Sequence, residues 1–154
     1  TEAGLKKPAA KLAYDGCSLW GGFEPEGVGY LKASGFWDNA VAINTDAAHV
    51  RAGKQSAVIK TKGRFRPVQF TTGVPHRLTA WVKSTVETEI KVELAGMFDG
   101  KPTKQEATVK VGPAWSEVTI PFTPPATLTA TLALNITAPS QAVVYLDEVR
   151  FVPE

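Results

Sequence analysis

Apolar and polar residues alternate with a period of two through most of the chain after residue 40. In "RLTAWVKS", Leu78, Ala80 and Val82 share one face, and Thr79, Trp81 and Lys83 share the other. In "TEIKVEL", Ile90, Val92 and Leu94 oppose Glu89, Lys91 and Glu93. In "TATLALNIT", Leu132, Leu134 and Ile136 oppose Thr131, Ala133 and Asn135. Successive side chains of a strand point to opposite sides, so each segment offers one aliphatic face to a core. The same pattern predicts strands in "AVAIN", "SAVIKT", "FRPVQFTT", "HRLTAWVKS", "TEIKVELAGMF", "EATVKV", "SEVTIPFT", "ATLTATLALNIT" and "AVVYLDEVRFV". Turn-forming clusters such as "TGVP", "DGKP", "VGPA" and "TPPA" separate most of them. A 3.6-residue apolar period is missing, so no helix of three turns is expected. Short strands at this spacing predict an all-β, antiparallel sandwich or barrel.

Two positions break the pattern. In "VVYLDEVRF", strict alternation puts Asp147 in the row Val143, Tyr145, Val149, Phe151, where a carboxylate needs a partner. Trp81 falls on a polar face of the kind that carries Lys83, Glu93 and Asn135. A large aromatic there is either a ligand surface, or is covered by a loop, or is redirected by a bulge that flips the parity.

Composition narrows the class. The chain has 154 residues, enough for one domain with a core, and 44% hydrophobic against 21% charged residues argues against disorder. A net charge of +2, without a basic run interleaved with aromatics, gives no nucleic-acid surface. No apolar run approaches the ~20 residues of a membrane span. Cys17 is the single cysteine, which rules out an internal disulfide. "KKPAAK" resembles the end of a linker, so residues 1–11 are expected to be a linker or loosely attached segment, and 12–154 a single domain.

Five segments in order resemble one family. They are "LWGGFEPEG" (Leu19 to Gly27), "HVRAGKQSAVIK" (His49 to Lys60), "TTGVPHRLTAWVKS" (Thr71 to Ser84), "AWSEVTIPFTPP" (Ala114 to Pro125) and "VVYLDEVRF" (Val143 to Phe151). Together they resemble the jelly-roll carbohydrate-binding modules of the kinds numbered four, nine, sixteen and twenty-two, which are attached to bacterial polysaccharide-degrading enzymes. The resemblance implies a galactose-binding-domain-like jelly-roll sandwich over residues 18–152. It departs from the family between Glu26 and Asn44 and in the "MFDGKPTKQ" hairpin.

The resemblance also implies a structural Ca²⁺ held by Glu24 and Asp147, with Asp46 the nearest further acid. Hard oxygen ligands of this kind suit that ion. Trp81 would stack on a sugar ring, Glu93 and Asn135 would supply hydrogen bonds, and Trp37 in "SGFWDNA" could line one end of a groove. Trp20 and Trp115 are expected to pack structurally. Catalytic signals are thin: neither His49 nor His76 lies in a hydrolase motif, and Cys17 stands alone.

The expected function is thus a non-catalytic module that binds a polysaccharide or oligosaccharide. It would target a secreted or cell-surface bacterial protein with a covalently linked catalytic domain, and would be a monomer without nucleic-acid or membrane partners. A non-binding spacer domain, which predicts a covered Trp81, is the alternative. A small jelly-roll enzyme, which predicts two carboxylates facing across a groove, is a second.

Overall fold

Ten strands and one short 3-10 helix make up the described residues, which are 19–21 (backbone alone), 41–65 and 70–154 of the computed structural model. The strands are β1 (Leu19–Gly21), β2 (Val41–Asn44), β3 (Ser56–Lys60), β4 (Lys62–Phe65), β5 (His76–Ser84), β6 (Thr88–Phe98), β7 (Lys101–Val111), β8 (Ser116–Phe122), β9 (Ala130–Thr137) and β10 (Val143–Pro153). A six-stranded sheet runs β2-β3-β10-β5-β8, with β1 also paired to β10, and a four-stranded sheet runs β4-β9-β6-β7. All pairings are antiparallel, giving the predicted two-sheet sandwich.

Alternation builds the core. Leu78, Ala80 and Val82 of β5 and Val118, Ile120 and Phe122 of β8 point inward from the larger sheet. Ile90, Val92, Leu94 and Phe98 of β6 and Leu132, Leu134 and Ile136 of β9 meet them from the smaller one. Their partners in sequence, such as Lys91, Glu93 and Asn135, therefore point outward. The β6–β7 hairpin turns at Asp99 (φ 49°) and Gly100 (φ 80°), the Asp-Gly pair whose left-handed conformations match strand twist.

The last strand departs from strict alternation. Asp147 pairs with Trp81, but Arg150 pairs with Thr79, so three steps along β10 match two along β5. One extra residue is inserted, and Glu148 takes a left-handed φ of 51°. The bulge flips parity: Val144 and Leu146 face the core before it, and Val149 and Phe151 after it. Asp147 therefore lies on the outer face with Val143 and Tyr145, not in the core row that strict alternation assigned. Of the strand predicted as "FRPVQFTT", residues 66–69 lie outside the described residues; Phe65 belongs to β4, which begins at Lys62, and Phe70 packs on the core without joining a strand. The predicted linker, residues 1–11, lies outside the described residues.

Candidate functional site

The outer face of the four-stranded sheet carries an open cleft of about 800 Å³. Its floor is formed by Ala95 of β6 and Ala133 of β9, which are cross-strand partners. Met97, Pro102 and Thr131 border one end, and Arg64 and Lys104 stand on opposite sides. Small side chains keep the floor open. Gly96 belongs to the same wall, and a Cβ there would run into the Thr131 carbonyl oxygen. That close approach of β9 requires glycine.

A polar row crosses the sheet beside this floor. Arg64 pairs with Asn135, Asn135 with Glu93, and Glu93 with Glu106. Asn135 Nδ2 donates to Glu93 Oε1 at 3.0 Å. Lys104 Nζ lies 3.8 Å from Glu93 and 3.4 Å from Glu106. The structure thus brings Glu93 and Asn135 together, as the alternation of β6 and β9 predicts. The two carboxylates stand side by side on adjacent strands and share one lysine. They do not face each other across the cleft, which is the arrangement that glycoside hydrolysis uses.

Trp81 is not part of this face. It points outward from β5 in the six-stranded sheet, on the opposite side of the sandwich from Glu93 and Asn135. Trp81 and the Glu93–Asn135 pair therefore cannot line one groove. Two strands that look alike in their alternation belong to different sheets, and periodicity does not distinguish the two outer faces. The loop between β2 and β3 covers Trp81 in part: the Arg51 guanidinium lies 4.2 Å from the indole centroid. Beside it, His49 stacks on Tyr145 at 4.2 Å and 9°. The buried Lys83 donates to the Ala48 carbonyl at 3.1 Å and lies 5.6 Å from the half-buried Trp115 ring.

Asp147 sits under the same loop, fully buried. Its Oδ2 accepts N–H groups from Arg51 and Ala52 at 3.0 and 3.1 Å, and its Oδ1 accepts from Glu148 at 2.9 Å. Burial pushes its pKa up to about 7 despite these three donors, which pull the other way. A cation would remove that desolvation penalty, and Oδ1, with a single N–H partner, retains acceptor capacity for one. In this respect Asp147 fits a hard-cation ligand. Asp46 is exposed, and its Oδ1 accepts the Ala48 N–H at 3.0 Å, capping the Ala47–His49 3-10 helix. No group of three or more His, Cys, Asp or Glu residues is gathered for a metal among the described residues. Glu24 and Trp37 lie outside the described residues.

Sequence reasoning did not single out Arg64 or Lys104. Arg64 was legible in "KGRF", where Lys62 and Arg64 alternate with Gly63 and Phe65, but a strand begun at Phe65 leaves it out. Among the described residues, no aromatic side chain stands on the outer face of the four-stranded sheet. No helix there is long and apolar enough to cross a membrane.

No family model matches the sequence, and comparison with curated proteins finds no match. Solved structures do match. The CBM22-1 and GH10 modules of Clostridium thermocellum endo-1,4-β-D-xylanase 10B, complexed with xylohexaose, superpose with a TM-score of 0.70 at 16% identity. That match covers 91% of this chain and 29% of the other, so this chain spans under a third of the two-module protein. The CBM22-1 xylan-binding domain of Paenibacillus barcinonensis Xyn10C gives 0.65 at 15% identity, covering 94% of this chain and 97% of that one. The C-terminal family 22 carbohydrate-binding module of Clostridium thermocellum Xyn10B gives 0.65 at 14%, covering 93% and 96%. At these identities the likeness establishes architecture: the chain has the two-sheet β-sandwich fold seen in these carbohydrate-binding modules.

Proposed function

We propose that the protein is a non-catalytic carbohydrate-binding module whose ligand lies along the outer face of the four-stranded sheet. The open cleft over Ala95 and Ala133, beside the Asn135–Glu93 pair, is the observation that carries this reading. A sugar presents C–H faces and hydroxyls. The small floor accommodates a ring, Asn135 and Glu93 offer a donor and acceptors, and Lys104 and Arg64 offer donors. Like the xylan-binding domains whose fold it shares, it would bind a polysaccharide or oligosaccharide and target a linked catalytic domain in a secreted or cell-surface protein. It would act as a monomer.

Ca²⁺ belongs to this reading as a structural ion. Asp147 would hold it through Oδ1, and Glu24 is the second acid that the family resemblance assigns. The ion would stabilise the loop that packs over β5 and β10, with no part in ligand chemistry.

The non-binding spacer is the second reading. It is favoured by the Arg51 guanidinium over Trp81 and by the lack of a stacking aromatic among the described residues of the four-stranded face. A glycan array followed by calorimetry separates the two. Asn135→Ala and Glu93→Gln should each weaken binding about tenfold, the loss of ~1.4 kcal/mol. Absence of binding to every glycan by a folded protein would leave the spacer.

A further inference from the structure

Lys62, Arg64 and Lys91 are exposed on the outer face of the four-stranded sheet. Lys62 and Lys91 flank Thr137 in one cross-strand row, and Arg64 follows in the next, at the cleft. None of the three takes part in an ion pair among the described residues. The acids of the neighbouring rows are differently placed. Glu93 accepts from Asn135 and lies against Lys104, and Glu106 pairs with the same lysine. Lys104 offsets only one of these two carboxylates, but over the outward rows of the sheet the described cations Lys62, Arg64, Lys91, Lys104 and Lys110 outnumber the acids Glu89, Glu93 and Glu106.

The floor adds a second observation. Ala95 and Ala133 provide no π surface, and no described aromatic stands on this face. Ring stacking, which usually carries weak neutral-sugar binding, is not supplied by these strands. Charge-assisted contacts must contribute a larger share. Arginine is suited to that task, because its planar fork binds a carboxylate through two parallel hydrogen bonds. Lys104, three inter-strand spacings from Arg64 or about 14 Å at ~4.8 Å each, is engaged by Glu93 and Glu106, which leaves Arg64 as the cation at the cleft without an ion pair among the described residues.

We propose that this cleft selects an acidic glycan, with Arg64 as the residue that reads a sugar carboxylate. The inference rests on the carbohydrate-binding reading above and adds its ligand class. Lys62 and Lys91 raise the local potential without a fixed contact, so binding weakens with salt as the Debye length shrinks from about 8 Å at 0.15 M to about 3 Å at 1 M.

The test uses three polysaccharides, glucuronoxylan, homogalacturonan and alginate, each native and carboxyl-reduced. Affinity is measured by calorimetry for the wild type, Arg64→Ala, Arg64→Lys and Lys60→Ala. Lys60 is exposed on β3 of the other sheet, so its loss matches the charge change away from the cleft. Melting curves establish that each variant is folded. The expected result is binding to at least one native polymer, weakened tenfold or more by carboxyl reduction. Arg64→Ala should lose as much, Arg64→Lys less, and Lys60→Ala almost nothing. Equal binding to native and reduced forms overturns the acidic preference while leaving the carbohydrate-binding reading standing. Equal losses in Arg64→Ala and Lys60→Ala overturn it as well, showing general charge attraction. Absence of binding to all six polymers overturns this inference, and the glycan array above then decides by itself whether the carbohydrate-binding reading stands.

Discussion

Arg51 joins Trp81 to Asp147. Its backbone N–H donates to Asp147 Oδ2 at 3.0 Å, and its guanidinium lies 4.2 Å from the centroid of the Trp81 ring. Trp81 and Asp147 are themselves cross-strand partners of β5 and β10. One loop residue therefore holds the buried carboxylate through its main chain and covers the neighbouring indole through its side chain. This arrangement makes the outer face of the six-stranded sheet a docking platform for the chain's own β2–β3 loop.

Trp81→Ala is accordingly expected to act on stability. Removing the indole takes away the surface on which Arg51 rests and should cost about 1–3 kcal/mol in chemical denaturation. Glycan binding on the opposite face should be unchanged. Loss of binding at unchanged stability would return Trp81 to the ligand site.

Metal removal gives a second expectation. An ion that binds the folded state alone stabilises it by mass action, so excess Ca²⁺ should raise the melting temperature and EDTA lower it. Asp147→Asn should abolish the difference. Identical melting curves with Ca²⁺ and EDTA, together with no metal by elemental analysis, would exclude the ion.

The pH dependence without Ca²⁺ has two opposed parts. Asp147 has a folded-state pKa raised by burial to about 7 from its ordinary value of 3.8. Between these values the folded state keeps a proton that the unfolded chain releases, so its contribution to stability falls as pH rises from about 4 to 7. His76 is held below its ordinary value of 6.5, chiefly by burial. It stacks on Phe151 at 4.7 Å, and its Nε2 is buried without a partner. Its contribution is lost as pH falls below about 6.5. Asp147→Asn should remove the first slope, and His76→Phe the second, in denaturation curves from pH 4 to 8. A wild-type slope unaffected by either change would show that other groups set it.

Gly96→Ala should destabilise the smaller sheet. The added Cβ meets the Thr131 main-chain oxygen, which cannot move aside by changing rotamer. Strands β6 and β9 must separate locally, at a cost of about 1–3 kcal/mol. Gly100→Ala meets no atom within 4 Å, but its φ of 80° disfavours a side chain, so a smaller loss is expected. Equal stability of Gly96→Ala and the wild type in urea would contradict the close approach.

Much of the fold was legible in the sequence because a period of two is a local property. The predicted bounds of β5 and β6 match the structure, and the inward rows Leu78–Val82, Ile90–Leu94 and Leu132–Ile136 form the core as alternation requires. Strand β7 begins earlier than "EATVKV" because the Asp99–Gly100 turn is tight enough for pairing to start at Lys101. The pairing of Glu93 with Asn135 follows from outward parity on two strands once these are neighbours.

What only the tertiary structure decided is which outward residues share a face. Alternation states that Trp81 and Glu93 both point away from the core, but the core has two sides, and β5 and β6 belong to different sheets. The bulge at Glu148 was also hidden, because one inserted residue leaves no mark on composition or period. It moved Asp147 out of the core row, and the loop carrying Arg51 and Ala52 buried it again from the other side. Side-chain direction is set by each strand alone. The neighbours it meets are set by sheet order and loop packing, which arise from contacts far apart in sequence.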